Sequence, residues 1–366
     1  MAVKTTLAVK TTFLVVSDTH SKEWIKPGTI FPAGGVDVAI HCGDLTERST
    51  LAEFTQAVDA LKRINAPLKL VIAGNHDFTL DHAMFKTIYH NTHSQPSIWS
   101  EAYAAAPQDY GYVGQAKRLF SDRVPEWEKA FRTALGGEEF NNNDNNIHLL
   151  GVGRHDFVLK NGAKLRVYAD PYTPSASGQG GFKFRRDERR EYAIGGPDDV
   201  DVVITHGPPR GVLDTNTAGE QVGCDDLMAA VAGARPRMHC FGHIHEGWGA
   251  ELVSWDDGTR GNTVVARQKI ETRDSVQGSL GYVQTSLCGG VTQREGNGGR
   301  PRCERLRPGE QTLFVNAALE TQDETEMRLP WVVEMELPVA RRGTWAKLYG
   351  KVFRRVKNWI PGRRDA

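Results

Sequence analysis

Several short groups of polar residues in the sequence carry the side chains that bind divalent metal ions. Two of them, Asp18-x-His20 and His243-x-His245, place two donors at positions i and i+2. On an extended backbone such side chains point to the same side, so each pair could grip one ion. Carboxylate, amide and imidazole donors without a thiolate favour Mn, Fe, Zn or Mg over a structural zinc site. The candidate ligands are Asp18, His20, Asp44, Asn75, His206, His243 and His245.

Two residues within these groups point to hydrolytic chemistry. Asp44 stands alone in its group, and one carboxylate with two oxygens can bridge two ions. Two ions about 3.5–4 Å apart clamp the attacking and departing oxygens of an in-line displacement at phosphorus. His76 lies between Asn75 and Asp77, and its imidazole offers a proton donor next to a metal ligand.

Each group also has an ordinary structural interpretation. Asp18 could cap a helix, Gly43-Asp44 could form a turn, and His206 could be a hydrogen-bonded loop histidine. Taken singly, each group favours that interpretation. Five such groups, each closing an apolar run, are difficult to explain as independent turns, so the sequence favours one joint site.

The apolar runs before these groups predict the strands that position them. These strands span residues 13–16, 36–41, 70–73, 201–204 and 238–241, and more are predicted at 147–152, 164–169, 312–315 and 331–336. Helical spacing predicts helices at 51–64, 83–90, 124–135 and 227–231. This order of elements predicts a layered α/β domain, in which ligands bind beyond the carboxyl ends of the strands.

Length and composition indicate a chain with a substantial folded core. The 366 residues allow one large domain or two ordinary ones, and 25% charged with 39% hydrophobic residues is typical of globular proteins. No apolar run approaches the about 18 residues of a membrane span, and no signal peptide is recognisable. Five scattered cysteines without CxxC spacing indicate reduced thiols. We therefore expect an intracellular, cytoplasmic protein.

The segment 338–366 is strongly basic. It contains nine Lys or Arg residues and one acid, a formal charge of +8, so the rest of the chain sums to −8. Apolar residues recur at three- and four-residue steps from Trp345 to Ile360, which predicts an amphipathic helix. Such a helix could lie on an anionic membrane surface, or its apolar stripe could pack on the protein's own core.

The order of the motifs resembles that of the calcineurin-like metallophosphoesterases. Asp18-x-His20, Gly43-Asp44, Gly74-Asn75-His76-Asp77, His206-Gly207 and Gly242-His243-x-His245 match the five blocks of that family. The resemblance covers roughly residues 12–250 and the strand near 313–316. Within the family, residues 43–47, 168–174 and 242–247 are similar to the metallophosphoesterase-domain (MPPED) branch.

This resemblance implies a four-layer α-β-β-α sandwich with two central mixed sheets, and a metal site where the sheets meet. We therefore predict a phosphoesterase domain over residues 1–337, followed by the tail 338–366. The polar, Gly- and Arg-rich stretch at about 258–309 is interpreted as a partly disordered insertion in that domain.

The resemblance also assigns the ligands. One ion would be held by Asp18, His20, Asp44 and His245, and the other by Asp44, Asn75, His206 and His243. His76 would not bind metal but would face the substrate, stabilising phosphoryl charge or protonating the leaving oxygen. We expect two divalent ions, with Mn favoured, and attack by the hydroxide that bridges them.

One departure from the family concerns the residue that orients His76. Protein Ser/Thr phosphatases of this superfamily carry Gly-Asp-x-x-Asp-Arg-Gly at the second block, whereas this chain has Glu47 in place of the second Asp. Phosphoprotein substrates are therefore less expected. Whether Glu47 or Asp77 orients His76 is open from the sequence.

The expected function is hydrolysis of small phosphodiesters, including the cyclic-nucleotide type, as in the branch that the chain resembles. No run of aromatic residues and no basic groove indicates a polymeric nucleic acid partner. The alternatives are a nucleotide- or partner-binding protein on a phosphoesterase fold with little turnover, and an adaptor docked on a membrane through its tail. The sequence carries no signal for the oligomeric state.

Overall fold

The computed structural model describes residues 8–25, 32, 34–91, 104, 106–111, 113–120, 146–176, 180–256, 263–270, 283–286, 306–321, 323 and 326–340. In chain order its strands are β1 (Ala8–Val16), β2 (Val38–His41), β3 (Leu68–Val71), β4 (Ile147–Leu149), β5 (Gly153–Val158), β6 (Lys164–Asp170), β7 (Thr173–Ser175), β8 (Lys183–Arg185), β9 (Val202–Thr205), β10 (Met238–Phe241), β11 (Gly249–Trp255), β12 (Val264–Lys269), β13 (Val283–Ser286), β14 (Gln311–Asn316) and β15 (Trp331–Pro338). The α-helices are α1 (Leu51–Lys62), α2 (His82–Asn91), α3 (Pro107–Tyr110), α4 (Gln115–Arg118) and α5 (Asp225–Ala234), and short 3-10 helices lie at Phe78–Leu80 and His245–Gly247.

Two large sheets organise these strands. The first sheet has six strands in the order β13-β15-β1-β2-β3-β4, and the second has seven in the order β12-β11-β14-β10-β9-β6-β5. In the first, β1 to β4 run parallel and β15 runs antiparallel to β1. In the second, β6, β9, β10 and β14 run parallel, while β5, β11 and β12 pair in antiparallel fashion. Both sheets are therefore mixed, as predicted.

The layers follow from the two-residue period of the strands, since successive side chains point to opposite faces. Phe13 and Val15 of β1 are buried in a core shared by strands of both sheets. Leu14 and Val16 are buried on the opposite face, in the cluster that contains the apolar residues of α1. Residues 13–16 of β1 thus contribute to two cores, which explains why this run is continuously apolar.

Helices cover the outer face of each sheet. Helix α1 packs on the first sheet through Phe54, Val58 and Leu61, which recur at helical spacing. Helix α5 packs through Leu227 and Val231 in a cluster with residues of β9, β10 and β14. The predicted four-layer α-β-β-α sandwich is confirmed.

The start of α1 fixes the loop that precedes it. Thr50 caps the helix, and the side chain of Glu53 accepts hydrogen bonds from the Thr50 backbone N–H at 2.9 Å and from the Thr50 hydroxyl. The same carboxylate accepts the backbone N–H groups of Glu47 and Arg48 at 3.2 and 3.1 Å. The loop between β2 and α1 is therefore held by the helix that follows it.

The structure differs from the sequence prediction in several elements. Strands β5, β7, β8 and β11 were not predicted. The stretch 258–309, interpreted as an insertion, contains β12 and β13, each of which lies at the edge of one large sheet. The division into a domain over residues 1–337, with an insertion at about 258–309, and a tail at 338–366 stays a prediction.

Some expectations fall on residues that the structure does not describe. These include the helix at 124–135 and the amphipathic helix of the basic tail.

Cys42, Cys224 and Cys240 are buried free thiols. Among the described helices, none combines the length and apolar character needed to cross a bilayer.

Candidate metal centre

The predicted ligands lie in loops that leave one edge of the sandwich. Strands β1, β2 and β3 of the first sheet end there, next to β9, β10 and β14 of the second, and we call this side the carboxyl edge. The backbone N–H of Asp18 donates to Gly43 O at 3.0 Å, and those of Thr19 and His20 donate to Asp44 O at 3.0 and 3.1 Å. The first two motif loops are thereby tied together.

The backbone of the ligand loops is not extended. Asp18, His20, Asp44 and His243 have φ angles of 53°, 43°, 53° and 66°, in the left-handed region that residues other than Gly rarely adopt. The expectation that each i, i+2 pair lies on extended chain was therefore wrong. The sharp left-handed turns instead direct the side chains across the carboxyl edge, and such strain is typical of functional sites.

The first cluster of donors consists of Asp18, His20 and His245. Their ligand atoms all lie within 4.8 Å of one another. His245 Nε2 is 3.3 Å from Asp18 Oδ1, although the two residues come from different sheets. Both oxygens of Asp18 also accept the backbone N–H of His243, at 3.1 and 3.0 Å, so the carboxylate is held in place.

The second cluster consists of Asp44, His206 and His243, with ligand atoms again within 4.8 Å of one another. His206 Nε2 lies 3.2 Å from Asp44 Oδ2 and 3.0 Å from Asn75 Oδ1. His206 Nδ1 donates to the carbonyl of Cys42 at 3.0 Å, which leaves Nε2 as its ligand atom.

Asp44 lies between the two clusters. Its Oδ1 accepts the backbone N–H of His76 at 2.7 Å. Its Oδ2 is 3.2 Å from His206 Nε2 and 3.8 Å from His20 Nε2. One oxygen of Asp44 therefore faces imidazoles of both clusters, which is the arrangement of a bridging ligand.

Glycines in the motifs allow these close approaches. A Cβ atom on Gly74 would lie 2.2 Å from Asp44 Oδ1, and one on Gly242 would lie 1.9 Å from Asp18 Oδ2. Gly43 combines a φ of +100° with a Cβ position 2.7 Å from His206 Nδ1. The glycine before each of these polar groups is thus a steric requirement of the donor cluster.

Attraction between the carboxylates and the imidazoles of the cluster determines which of these side chains are protonated. Burial alone would lower the pKa of His20, but the carboxylates of Glu47, Asp44, Asp18 and Glu320 raise it to about 10. Burial likewise opposes charge on His206, and Asp44 raises the pKa of His206 to about 9. The pKa of Asp44 is well below its usual range, because nearby imidazoles outweigh the effect of burial. In the metal-free protein the buried carboxylates are therefore neutralised by imidazolium groups.

The residues fit a pair of divalent cations. Both ring nitrogens of the buried His20 lack a hydrogen bond of good geometry, although Glu47 Oε2 is 3.0 Å from Nδ1. In metal-binding histidines, a carboxylate commonly holds one ring nitrogen and so orients the ring, while the other nitrogen binds the ion. Buried carboxylates without thiolates match ions such as Mn²⁺, Fe²⁺, Zn²⁺ or Mg²⁺.

His76 is oriented by a backbone group. Its Nδ1 donates to the carbonyl of Glu47 at 2.8 Å, whereas Glu47 Oε1 is 4.0 Å away. The carboxylate of Asp77 is occupied by the backbone N–H groups of Gly74, Leu45 and Thr46 and by the Thr46 hydroxyl. Neither carboxylate considered from the sequence holds the His76 ring. Because Nδ1 donates to this carbonyl, Nε2 is the ring nitrogen left to interact with a ligand.

Sequence reasoning did not identify Glu320. This residue follows β14 at the carboxyl edge, and its Oε2 lies 3.3 Å from His20 Nε2 and 3.5 Å from His245 Nδ1. It opens the polar run at residues 320–326, but that run contains no histidine and none of the spacings of the other donor groups. The available signal was its place at the start of this run, shortly after a predicted strand.

A polar cavity opens over the donors. Its volume is about 620 Å³, within the usual size range of small-molecule sites. It is lined by His20, Lys22, Asp44, Glu47, Arg48, Asn75, His76, His243, His245, Glu320 and Thr321. The His76 side chain is 32% exposed and can meet a molecule that enters the cavity.

A family model described as calcineurin-like phosphoesterase matches residues 11–247. The chain therefore belongs to the calcineurin-like phosphoesterase family, as the motifs predicted.

Named relatives place the chain more closely. It is 30% identical over 241 residues to the human metallophosphoesterase domain-containing protein 1, covering 65% of this chain and 62% of that protein. It is 29% identical over 234 residues to a UPF0046 protein of Caenorhabditis elegans, covering 63% and 62%. It is also 31% identical over 243 residues to the probable rhamnogalacturonate lyase C of Emericella nidulans, covering 66% of this chain but 18% of that protein. The matches thus span less than two thirds of each relative, and they agree with the predicted metallophosphoesterase-domain branch.

Replacing Gly242 by Ala should weaken metal binding, because the new Cβ would lie 1.9 Å from Asp18 Oδ2 and displace that carboxylate. We expect Mn²⁺ affinity to fall at least about 10-fold in calorimetric titration, while circular dichroism shows a retained fold. Gly151→Ala is the matched control, because its Cβ would meet nothing within 4 Å. Equal affinity in the two variants would contradict the steric role of Gly242.

Metal binding should release protons. The pKa values of His20 and His206 are raised to about 10 and about 9, so both rings are protonated at pH 7 in the metal-free protein. Cations and protons then compete for the same nitrogens, and Mn²⁺ affinity should increase as the pH rises from 6 towards 9. Titration in buffers of different ionisation enthalpy measures the release directly. Observed heats that do not depend on the buffer would show that no proton is displaced.

Proposed function

We propose that this protein is a metal-dependent phosphoesterase that hydrolyses small phosphodiesters, including those of the cyclic-nucleotide type. The observation that carries the proposal is the position of Asp44 Oδ2, 3.2 Å from His206 Nε2 and 3.8 Å from His20 Nε2. One buried carboxylate then serves two sets of donors, as a site with two ions requires. Membership of the calcineurin-like phosphoesterase family supports the same chemistry.

The donors divide between two cation positions. One is formed by Asp18, His20, His245 and the shared Asp44, and the other by Asn75, His206, His243 and Asp44. Two divalent ions held there, with Mn favoured, would supply an acidic water for attack on phosphorus and positive charge for the phosphoryl oxygens. The carbonyl of Cys42 keeps His206 Nε2 directed at Asp44, 3.2 Å away.

His76 is proposed as the general acid. Its Nδ1–H is held by the Glu47 carbonyl at 2.8 Å, so the proton that it would donate is the one carried by Nε2. Because His76 lines the cavity, this proton can pass to the oxygen that leaves phosphorus, which neutralises the developing alkoxide. The backbone N–H of His76 donates to Asp44 Oδ1 at 2.7 Å and so couples the position of the acid to that of the bridging carboxylate.

The substrate is proposed to be a small molecule. A cavity of about 620 Å³ accommodates a nucleotide-sized ligand. Lys22 and Arg48 line it and add positive charge for an anionic substrate. Similarity to the metallophosphoesterase-domain branch supports a diester over a phosphoprotein.

The test of this function is a substrate panel with controlled metal content. The metal-free protein should be inactive, and added Mn²⁺ should restore hydrolysis of bis-p-nitrophenyl phosphate and of cyclic nucleotides. We expect lower kcat/KM for p-nitrophenyl phosphate and for phosphopeptides. Tight binding of two ions without turnover of any diester would favour a nucleotide-binding protein instead.

The roles of His76 and Asp44 should separate in variants. His76→Ala should lower kcat by about 10²- to 10⁴-fold while both ions stay bound, because the lost group is a proton donor and not a ligand. Asp44→Ala should lose metal as well as activity. Metal analysis and steady-state kinetics measure both, with His82→Ala at the exposed start of α2 as the control. Full turnover by metal-loaded His76→Ala would remove its assigned role.

A further inference from the structure

Glu320 reaches the first donor cluster from a part of the chain that lies outside the family match at 11–247. It follows β14, which lies beside β10 in the second sheet. Its side chain is 13% exposed and lines the same cavity as His20 and His245. A carboxylate at this depth needs a compensating partner, because burial of an unpaired charge is costly.

The backbone that carries Glu320 is fixed on two sides. Ala317 O accepts the backbone N–H of Ser17 at 2.9 Å, and the backbone N–H of Leu319 donates to Ser17 O at 2.9 Å. Arg328 Nη1 donates to the carbonyl oxygens of Glu320 and His245 at 2.6 and 2.7 Å. These contacts bind the segment to the residue before Asp18 and to His245. The carboxylate therefore has a defined place beside the cluster.

The two oxygens of the Glu320 carboxylate have different neighbours. Oε1 pairs with the ammonium of Lys22. Oε2 lies 3.3 Å from His20 Nε2 and 3.5 Å from His245 Nδ1. Oε1 is thus engaged by Lys22, while Oε2 faces two candidate ligands of the same cation.

An unpartnered imidazole marks the same place independently. His20 is 95% buried and neither of its ring nitrogens makes a hydrogen bond of good geometry. Its Nε2 faces Asp44 Oδ2 at 3.8 Å as well as Glu320 Oε2 at 3.3 Å. Two carboxylates therefore face His20 Nε2, which makes no hydrogen bond. A nitrogen and two carboxylates arranged in this way can bind one cation together.

We propose that Glu320 supplies an additional carboxylate to the cation held by Asp18, His20 and His245. The inference rests on the proposed two-metal function and adds a residue that the motifs do not contain. It makes the two positions unequal in charge. The first then has Asp18 and Glu320 besides the shared Asp44, whereas the second has only neutral Asn75 and two imidazoles besides Asp44. Hard, oxygen-seeking ions such as Mn²⁺ bind the first position more tightly.

The experiment compares Mn²⁺ binding by the 366-residue chain and its Glu320→Gln variant, which keeps the size of the side chain but removes its charge. We expect two ions bound by the unaltered chain. In the variant the tighter of the two affinities should weaken at least about 10-fold, with the other changed less than about twofold. The electron paramagnetic resonance spectrum, recorded with two Mn²⁺ added per chain, should show a coupled pair in the unaltered chain and a larger share of isolated ions in the variant.

Two control variants separate the carboxylate from its surroundings. Glu246→Gln removes the same charge from an exposed residue next to His245 and should leave both affinities unchanged. Lys22→Met removes the ion pair but keeps the carboxylate, and the tighter ion should remain bound. A loss in Lys22→Met equal to that in Glu320→Gln would assign the effect to the ion pair and overturn the proposal.

The remaining outcomes distinguish this inference from the proposed function. Two ions bound with unchanged affinities in Glu320→Gln would overturn the role of Glu320 and leave the two-metal phosphoesterase intact. An unaltered chain that binds no Mn²⁺ at all would overturn both.

Discussion

The contact on which the site depends is that between Asp44 and His206, because it joins the two sheets at their carboxyl edge. Asp44 follows β2 of the first sheet and His206 follows β9 of the second, and their side-chain atoms Oδ2 and Nε2 are 3.2 Å apart. Both side chains are buried, so the charge of Asp44 must be met by an imidazolium or by a bound cation. The packing of the two sheets at the carboxyl edge and the binding of ions there therefore influence each other's free energy.

Backbone strain accompanies this contact. Asp18, Asp44 and His243 adopt left-handed conformations, which cost about 1–3 kcal/mol each in residues other than Gly. Hydrogen bonds within the loops stabilise them, since the Asp44 carbonyl accepts two backbone N–H groups and the Asp18 carboxylate accepts that of His243. The strained turns place charged groups of separate loops within a few ångströms of one another.

The sequence allowed much of this arrangement to be predicted, and the exceptions have physical causes. Strands β2, β3, β9 and β10 are four residues long and, like residues 13–16 of β1, largely apolar and buried, and each precedes a polar group, so pattern alone located them. Strand β12 is exposed and rich in charge, so its sequence lacks the alternation of a half-buried strand. The group that orients His76 stayed open from the sequence because it is a backbone carbonyl, and backbone acceptors leave no mark in the sequence.

The positions of β14 and β15 have a consequence for how this domain can be divided. Both strands follow the region matched by the family model, which ends at residue 247, yet neither lies at a border of its sheet. Strand β14 separates β10 from β11, and β15 pairs with β1 from Ala8↔Pro338 to Val15↔Trp331. A fragment that ended at residue 247 would lack β14 and β15, so β1 and β10 would each have one edge without a strand partner. Such unpaired edges can pair with another chain and promote self-association. The smallest autonomous folding unit is thus longer than the segment matched by the family model, and it closes only when the late strands have been synthesised.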